Sequence, residues 1–412
     1  MNCFNYIDLF AGTSALSEGF RQNGFNPVAH IEMDGEACMT IKTRVAYHHL
    51  KENKNIDFYY DYIGGNITRE EFYKKSSVIH DETVINEKIS DTSLKNIFQL
   101  IESKLKNQRN SELDLIVGGP PCQAYSLIGR HGIDWENDSR LKLYIHYGRF
   151  LKEFRPKAFV FENVPGLLSA KGGIYYMNLK KYFKKIGYEI DDRILNAKDY
   201  GVLQNRRRVI IFGWRKDLQF SFPDLQTVSH SYTTEEILGD LSPLIPGESI
   251  EKGKYGKDIS GYMEQFGLRN GIDFYTQHIS RPHNSNDLKI YKLAITKWEE
   301  EKKRIKYTDV PKHLRTQKNT EAFPDRFKVV DGKGISHTII AHIAKDGHYY
   351  IHPDINQCRS ISVREAARIQ SFPDDFYFEG SRTAAFRQIG NAVPPLLSLA
   401  IANGMKKQFC KL

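Results

Sequence analysis

The first half of the chain alternates short apolar runs with amphipathic stretches. Tyr6-Ile7-Asp8-Leu9-Phe10 reads as a buried strand ending in a turn at Gly12, with a helix following to about residue 23. Residues 27–32 form a second strand and 34–49 a second helix. Asp114-Leu115-Ile116-Val117 is a strand that runs into Gly118-Gly119-Pro120-Pro121. A helix over 141–154 and apolar strands over 157–162 and 209–212 follow. Such alternation predicts a parallel sheet with crossover helices. Residues 72–110 break the rhythm. They are polar and charged, carry one helical segment over 94–105, and read as a surface insertion.

Beyond residue 224 the pattern changes. Pro and Gly punctuate 243–256, and Leu288, Tyr291, Ile295 and Trp298 recur at helical spacing with a Lys- and Glu-rich outer face. Residues 310–350 show little period and read as a separate, loop-rich domain. Ser362-Val363-Arg364-Glu365 is a capping box opening a helix to about 370, and a last helix starts at Pro394-Pro395.

Composition adds a modest bias. Hydrophobic residues make up 40% and charged residues 26% of 412 residues, which is ordinary for a globular chain. The net charge of +9 suits a polyanionic partner, although a Lys-rich proteome would give it too. The five cysteines are odd in number, scattered, and contain no Cys-x-x-Cys pair, which argues against disulfides and zinc and fits a cytoplasmic setting. The start has no signal-peptide character, and no run approaches a membrane span. No metal site is expected.

Three segments carry candidate chemistry. Gly12 follows a strand, and Glu32 lies 20 residues on at the end of the next strand, where a carboxylate can hold the ribose hydroxyls of a nucleoside. The same features also fit a structural βαβ turn. Cys122, after a Pro-shaped turn at a strand end, suits a nucleophile, though a lone cysteine is more often a small buried hydrophobe. Glu162 ends an apolar strand and is placed for acid–base work, or for capping a helix. Alternation puts Arg206 and Arg208 on one face, able to grip a phosphate and a base carbonyl; a surface arginine run is the plainer alternative.

Taken in order, these segments resemble the cytosine-5 DNA methyltransferase family. The blocks are Asp8-Leu9-Phe10-Ala11-Gly12, Gly118-Gly119-Pro120-Pro121-Cys122-Gln123, Glu162-Asn163-Val164 and Gln204-x-Arg206-x-Arg208. Arg364-Glu365-Ala366-Ala367-Arg368-Ile369-Gln370-Ser371-Phe372-Pro373 and Gly390-Asn391-Ala392-Val393-Pro394-Pro395 complete the set. The resemblance implies a Rossmann-like, S-adenosylmethionine-dependent α/β fold with a smaller target-recognition domain. It divides the chain into a catalytic and cofactor-binding domain (1–222), a recognition domain with its hinge (223–384), and a C-terminal helix completing the first (385–412).

The resemblance also implies roles. Cys122 attacks carbon 6 of a flipped cytosine, Glu162 holds its N3 edge, Arg208 its carbonyl oxygen, and Arg206 a nearby phosphate or loop group. Phe10, Gly12, Thr13, Glu32, Met33, Asn66, Ile67, Pro121, Leu143, Asn391, Ala392 and Val393 match cofactor contacts. Ser126, Arg130 and Gln204 are expected to touch DNA, and Ile128 to wedge into the vacated stack. Ser14 and Ala15 stand where the family usually has glycines, and Asn66 where it has an aspartate.

The resemblance is to the compact prokaryotic enzymes, because the cofactor block begins at Tyr6. It implies a monomer acting on duplex DNA at the nucleoid, protecting host DNA alongside a separately acting restriction endonuclease. A branch of the family methylates tRNA; the long 223–354 segment favours a duplex reader. A silent DNA-binding relative is a third reading, against which stand Cys122, Glu162, Arg206 and Arg208.

Overall fold

The computed structural model describes residues 4–76, 83–108, 110–121, 143–316, 319–320 and 323–411. The first half holds β1 (Asn5–Leu9), α1 (Ala15–Gln22), β2 (Asn26–Glu32), α2 (Gly35–Glu52), α3 (Asp57–Ile63), α4 (Arg69–Lys75), β3 (Val84–Asn86), α5 (Leu94–Lys106) and β4 (Leu115–Gly118). Then come α6 (Leu143–Phe154), β5 (Ala158–Asn163), α7 (Gly166–Ser169), α8 (Ile174–Lys185), β6 (Tyr188–Asn196), β7 (Gln204–Asn205) and β8 (Arg207–Arg215). The second half adds α9 (Glu235–Leu238), β9 (Ser249–Lys254), α10 (Gly261–Gln265), β10 (Phe274–Ile279) and α11 (Ser285–Glu301). It ends with β11 (Ser336–His337), α12 (Val363–Ile369), α13 (Arg382–Asn391) and α14 (Pro395–Phe409).

Seven strands form one sheet in the order β3-β2-β1-β4-β5-β8-β6. The first five are parallel; β8 runs antiparallel to both β5 and β6. Helices cover both faces, so the central strands are apolar throughout rather than alternating. Ile7, Ile116, Phe159 and Ile211 pack on one face with α5, α6 and α8. Tyr6, Val117, Val160 and Phe212 pack on the other with α1 and α14.

Residues 72–110 are not a surface insertion. Val84–Asn86 pairs with His30–Glu32 and completes the sheet edge. α5 buries Leu94, Ile97, Ile101 and Leu105 in the main core, an apolar stripe at helical spacing. The strand escapes notice because three residues are too few to show a period. Beside the sheet, α3 and α4 form an aromatic unit whose Tyr62 stacks on Phe72 with ring centroids 4.5 Å apart. Tyr59 donates to the Asp375 carbonyl at 2.7 Å and Tyr62 to the Glu379 carboxylate at 2.6 Å, tying this unit to the segment after α12.

The second half shares a core with the first: Ala15 and Leu203 lie in one cluster with Ile237, Val363, Phe376 and Phe386. Three fully buried arginines organise it. Arg368 pairs with Asp374 at 2.6 Å and with Asp240, Arg359 pairs with Glu365 at 2.7 Å, and Arg364 donates to the carbonyls of Thr276, Pro373 and Phe376. The capping box of α12 forms as its sequence indicates, Ser362 with Glu365.

Burial also makes the fold acid-sensitive. His283, His337 and His352 are each pushed down to about 4 by burial, and His30 to about 3. An unfolded imidazole titrates near about 6.5, so below that pH the unfolded chain binds more protons than the folded one. Stability is therefore expected to hold above pH 6.5 and to fall steadily down to about pH 4. Urea midpoints measured across that window check this; a flat profile contradicts it.

Candidate active site

The site is built at the ends of β4 and β5. A side chain at Gly118 would meet the Leu9 carbonyl at 2.4 Å, and one at Gly119 would meet the Glu162 carboxylate at 2.5 Å. Glycine is therefore needed at 118, and the Gly119 backbone lies directly against Glu162. Asn163 donates to the Pro120 carbonyl at 3.1 Å and pins the same turn from the other side. The turn leads through exposed Pro121 to Cys122. Cys122, Ser126, Ile128 and Arg130 lie outside the described residues.

Arg208 places its Nε 2.8 Å from Glu162 Oε1, and both side chains are about one-tenth exposed. The antiparallel register of β5 and β8 brings them together: Asn163 faces Val209, so Arg208 arrives just past the end of β5. A carboxylate and a guanidinium thus share one partly desolvated spot beside a glycine turn. That pair offers a planar ring both an acceptor and donors.

Two expected contacts are corrected. Arg206 does not join Arg208. It sits between β7 and β8, fully buried, and donates to the carbonyls of Ile339 at 2.5 Å, Gly390 at 3.1 Å and Ala392 at 2.8 Å. The strand break after Asn205 defeats the simple alternation argument. Gln204 is not a DNA-facing residue: it is fully buried, donates to the Ile369 carbonyl and the Gln370 side chain, and accepts from the Ile339 N–H. Arg206 braces the turn that follows α13, and Gln204 braces the end of α12.

The cofactor residues form a cradle across β1 and β2. Glu32 accepts from the N–H of Gly12 at 2.8 Å through one oxygen, and from those of Met33 and Asp34 through the other. Phe10, Gly12 and Ser14 all have φ near +60°. For Phe10 and Ser14 this left-handed backbone costs roughly 1–2 kcal/mol each, strain that concentrates at functional turns. The space where a Gly12 side chain would project is open for 4 Å. Thr13 Oγ1 and Asp8 Oδ2 are buried without a hydrogen-bond partner, and burial, with Glu32 nearby, raises the Asp8 carboxyl well above the usual range. Met33 is 63% exposed at the rim. Asn391 is exposed at the end of α13, followed by buried Ala392 and Val393, and Leu143 opens α6 half-buried.

Asn66 and Ile67 are engaged elsewhere. The Asn66 amide bonds Asp61, and Ile67 packs on the aromatic cluster around Tyr47 and Tyr62. The strand next to Glu32 ends instead in Asn86 and Glu87. Asn86 Nδ2 and Glu87 N both donate to the Glu32 carbonyl, at 3.1 and 3.0 Å. The only sequence signal for them is the β-branched pair Val84-Ile85 before a polar turn. Among the described residues, no group of His, Cys, Asp or Glu is arranged to hold a metal, and no helix is long and apolar enough to cross a membrane.

A seven-stranded sheet with antiparallel β8 between β5 and β6, an acidic residue ending β2, and a glycine–proline turn after β4 fit a methyltransferase of Rossmann-like fold. The model of the C-5 cytosine-specific DNA methylases matches residues 73–407. The type II methyltransferase M.Bpa9945I of Bacillus paralicheniformis is 42% identical over 97% of this chain and 98% of its own length. The type II methyltransferase M.XorII of Xanthomonas oryzae pv. oryzae is 33% identical, with 98% and 85% covered. The fold matches that of a putative DNA modification methyltransferase from an E. coli prophage, with TM-score 0.65, 23% identity and 99% of both chains covered. The chain belongs to the C-5 cytosine-specific DNA methylase family and is a DNA (cytosine-5) methyltransferase.

Proposed function

We propose that the chain transfers a methyl group from S-adenosylmethionine to carbon 5 of a cytosine flipped out of duplex DNA, through a bond between the Cys122 sulfur and carbon 6. The observation that carries this reading is the Glu162–Arg208 pair, set against the Gly119 backbone in the turn that leads to Cys122. The open space at Gly12, the fixed Glu32 carboxylate and the orphaned Thr13 hydroxyl fit a nucleoside with an amino-acid tail.

When bound, S-adenosylmethionine supplies an electrophilic methyl group. The chain's own residues make carbon 5 able to take it. Cys122 adds as thiolate to carbon 6, and the ring electrons shift towards carbon 5. Glu162 hydrogen-bonds the N3 edge, offsetting the charge that builds there, while Arg208 holds the carbonyl oxygen. Carbon 5 would then take the methyl group, the electron pair of the broken methyl–sulfonium bond staying on the donor sulfur; a base removes the carbon-5 proton, and the Cys122 thiolate leaves with the electron pair of its bond to carbon 6. Because the target carbon lies inside the stack, the base must leave the duplex to reach Glu162.

Glu32 would hold the ribose hydroxyls, Phe10 and Met33 the adenine faces, and Asn391 and Val393 the tail. Asn86, in place of Asn66, lies on the strand beside Glu32 and would border the adenine. Residues 223–384 would read the DNA sequence. The type II relatives support a protective role in restriction–modification, with a separate endonuclease cutting unmodified sites.

Methyl transfer from labelled S-adenosylmethionine to duplex DNA and tRNA, side by side, tests this, with bisulfite sequencing of the DNA. The expected result is methylcytosine at one short repeated motif. Label on tRNA alone would overturn the duplex reading.

A further inference from the structure

One cationic cluster lies outside the site described above. Arg281 follows β10, and Arg382 opens α13. Arg382 donates through Nη1 to the Ser280 carbonyl at 3.0 Å, which brings its guanidinium beside Arg281. Arg281 donates through Nη2 to the Ala344 carbonyl at 2.7 Å. Each therefore has one anchored nitrogen. The Nε of each is buried and has no acceptor.

Among the described residues, no carboxylate lies within ion-pair reach of either arginine. The neighbouring acids are committed elsewhere. Asp346 accepts from the His348 N–H at 3.0 Å, Asp287 from Asn284 at 2.8 Å, and Glu36 from Ser381 N and Arg387. His283 completes the cluster, hydrogen-bonded to Ser360 at 3.0 Å, and burial with its cationic neighbours keeps it neutral. Arg382 in turn is pulled below its usual range by burial and by Arg281. Two like charges held together by backbone anchors, with donors left over, make a receptor for an anion.

The position identifies the anion. α13 has 10 residues, Arg382 at its first and Asn391 at its last. At 1.5 Å per residue it spans about 15 Å. Its far end is braced by Arg206, two residues before Arg208 in the chain, and its first turn meets the start of α2, just beyond Glu32. The pair therefore sits at the end of α13 opposite Asn391, about 15 Å along the helix. The proposed nucleoside cofactor carries no phosphate, which leaves the backbone of the DNA.

We propose that Arg281 and Arg382 together clamp one backbone phosphate of the bound duplex. This rests on the duplex-DNA reading above. The clamp would fix the register of the duplex on the site without reading sequence.

Duplexes carrying one neutral methylphosphonate at each position in turn test it, with equilibrium binding measured for the full chain. In the unaltered chain, neutralising the phosphate that meets the pair is expected to weaken binding roughly tenfold. In R281Q/R382Q that position should no longer matter, and the slope of log K against log salt should flatten by about 1. R281K/R382K keeps the charges and should keep the slope. An unchanged slope in a Gln variant of unchanged melting temperature would overturn the clamp. If that variant does not fold, R281Q and R382Q made singly decide: each should blunt the same sensitive position, and a scan that neither changes overturns the clamp. Failure of the parent reading looks different: the unaltered chain would bind no duplex at all, whereas failure of the clamp alone leaves tight, salt-dependent binding.

Discussion

Cys122→Ser is expected to lower methyl transfer by roughly 10⁴-fold or more, the scale seen when a covalent nucleophile is removed. A serine hydroxyl ionises far less readily than a thiol, and carbon 6 of cytosine is a weak electrophile even when Glu162 engages N3. Duplex binding should survive. The turn before residue 122 is held by the Asn163–Pro120 bond and by the Gly119–Glu162 contact, and neither involves the sulfur. The loss should therefore appear in kcat, with the duplex Kd nearly unchanged. A duplex with 5-fluorocytosine at the target sharpens the test. Fluorine cannot leave as the proton does, so the adduct stays joined to the protein and survives denaturing electrophoresis. The unaltered chain should give this adduct and Cys122→Ser none. An adduct in the serine variant, or transfer at the original rate, would rule out Cys122 as the nucleophile.

The parts of this chain legible in its sequence are those where one strand, one turn and one reactive residue lie together. β1 with Gly12, β4 with its Gly-Pro turn and β5 with Glu162 each carry a continuous apolar run followed by residues with a clear chemical purpose. The parts misread depend on long-range packing. Arg206 and Arg208 look equivalent two residues apart, yet a strand break sends one into the interior and the other to Glu162. Gln204 looks like a polar surface residue, and only residues 339, 369 and 370 reveal what it satisfies. β3 is too short to show a period, and it is recognised by its partner β2. The chemistry of Arg281 and Arg382 is invisible in sequence for the same reason, since 101 positions separate the two residues.

Arg206 and Arg208 should consequently respond to the same substitution in opposite ways. Arg206→Lys puts one ammonium where a planar fork reaches three carbonyls, so at least one carbonyl in a dry interior loses its donor. The cost should be on the order of 2–3 kcal/mol, enough to lower the melting temperature by roughly 3 °C in a chain of this size. Because two of those carbonyls belong to Gly390 and Ala392, the turn bearing Asn391 and Val393 should loosen, and KM for the methyl donor should rise more than kcat falls. Arg208→Lys keeps a cation near Glu162 on a strand end, so melting should stay close to that of the unaltered chain. What it loses is the fork that holds Glu162 and, in the proposed mechanism, the base carbonyl, and transfer should fall about 10²-fold with KM for the methyl donor unchanged. Melting curves and steady-state constants for the two lysine variants give four numbers that separate a bracing arginine from one that touches the base. If Arg206→Lys lowered kcat without touching stability, Arg206 would belong with the base after all, and the buried contacts to 339, 390 and 392 would have to break in the working enzyme.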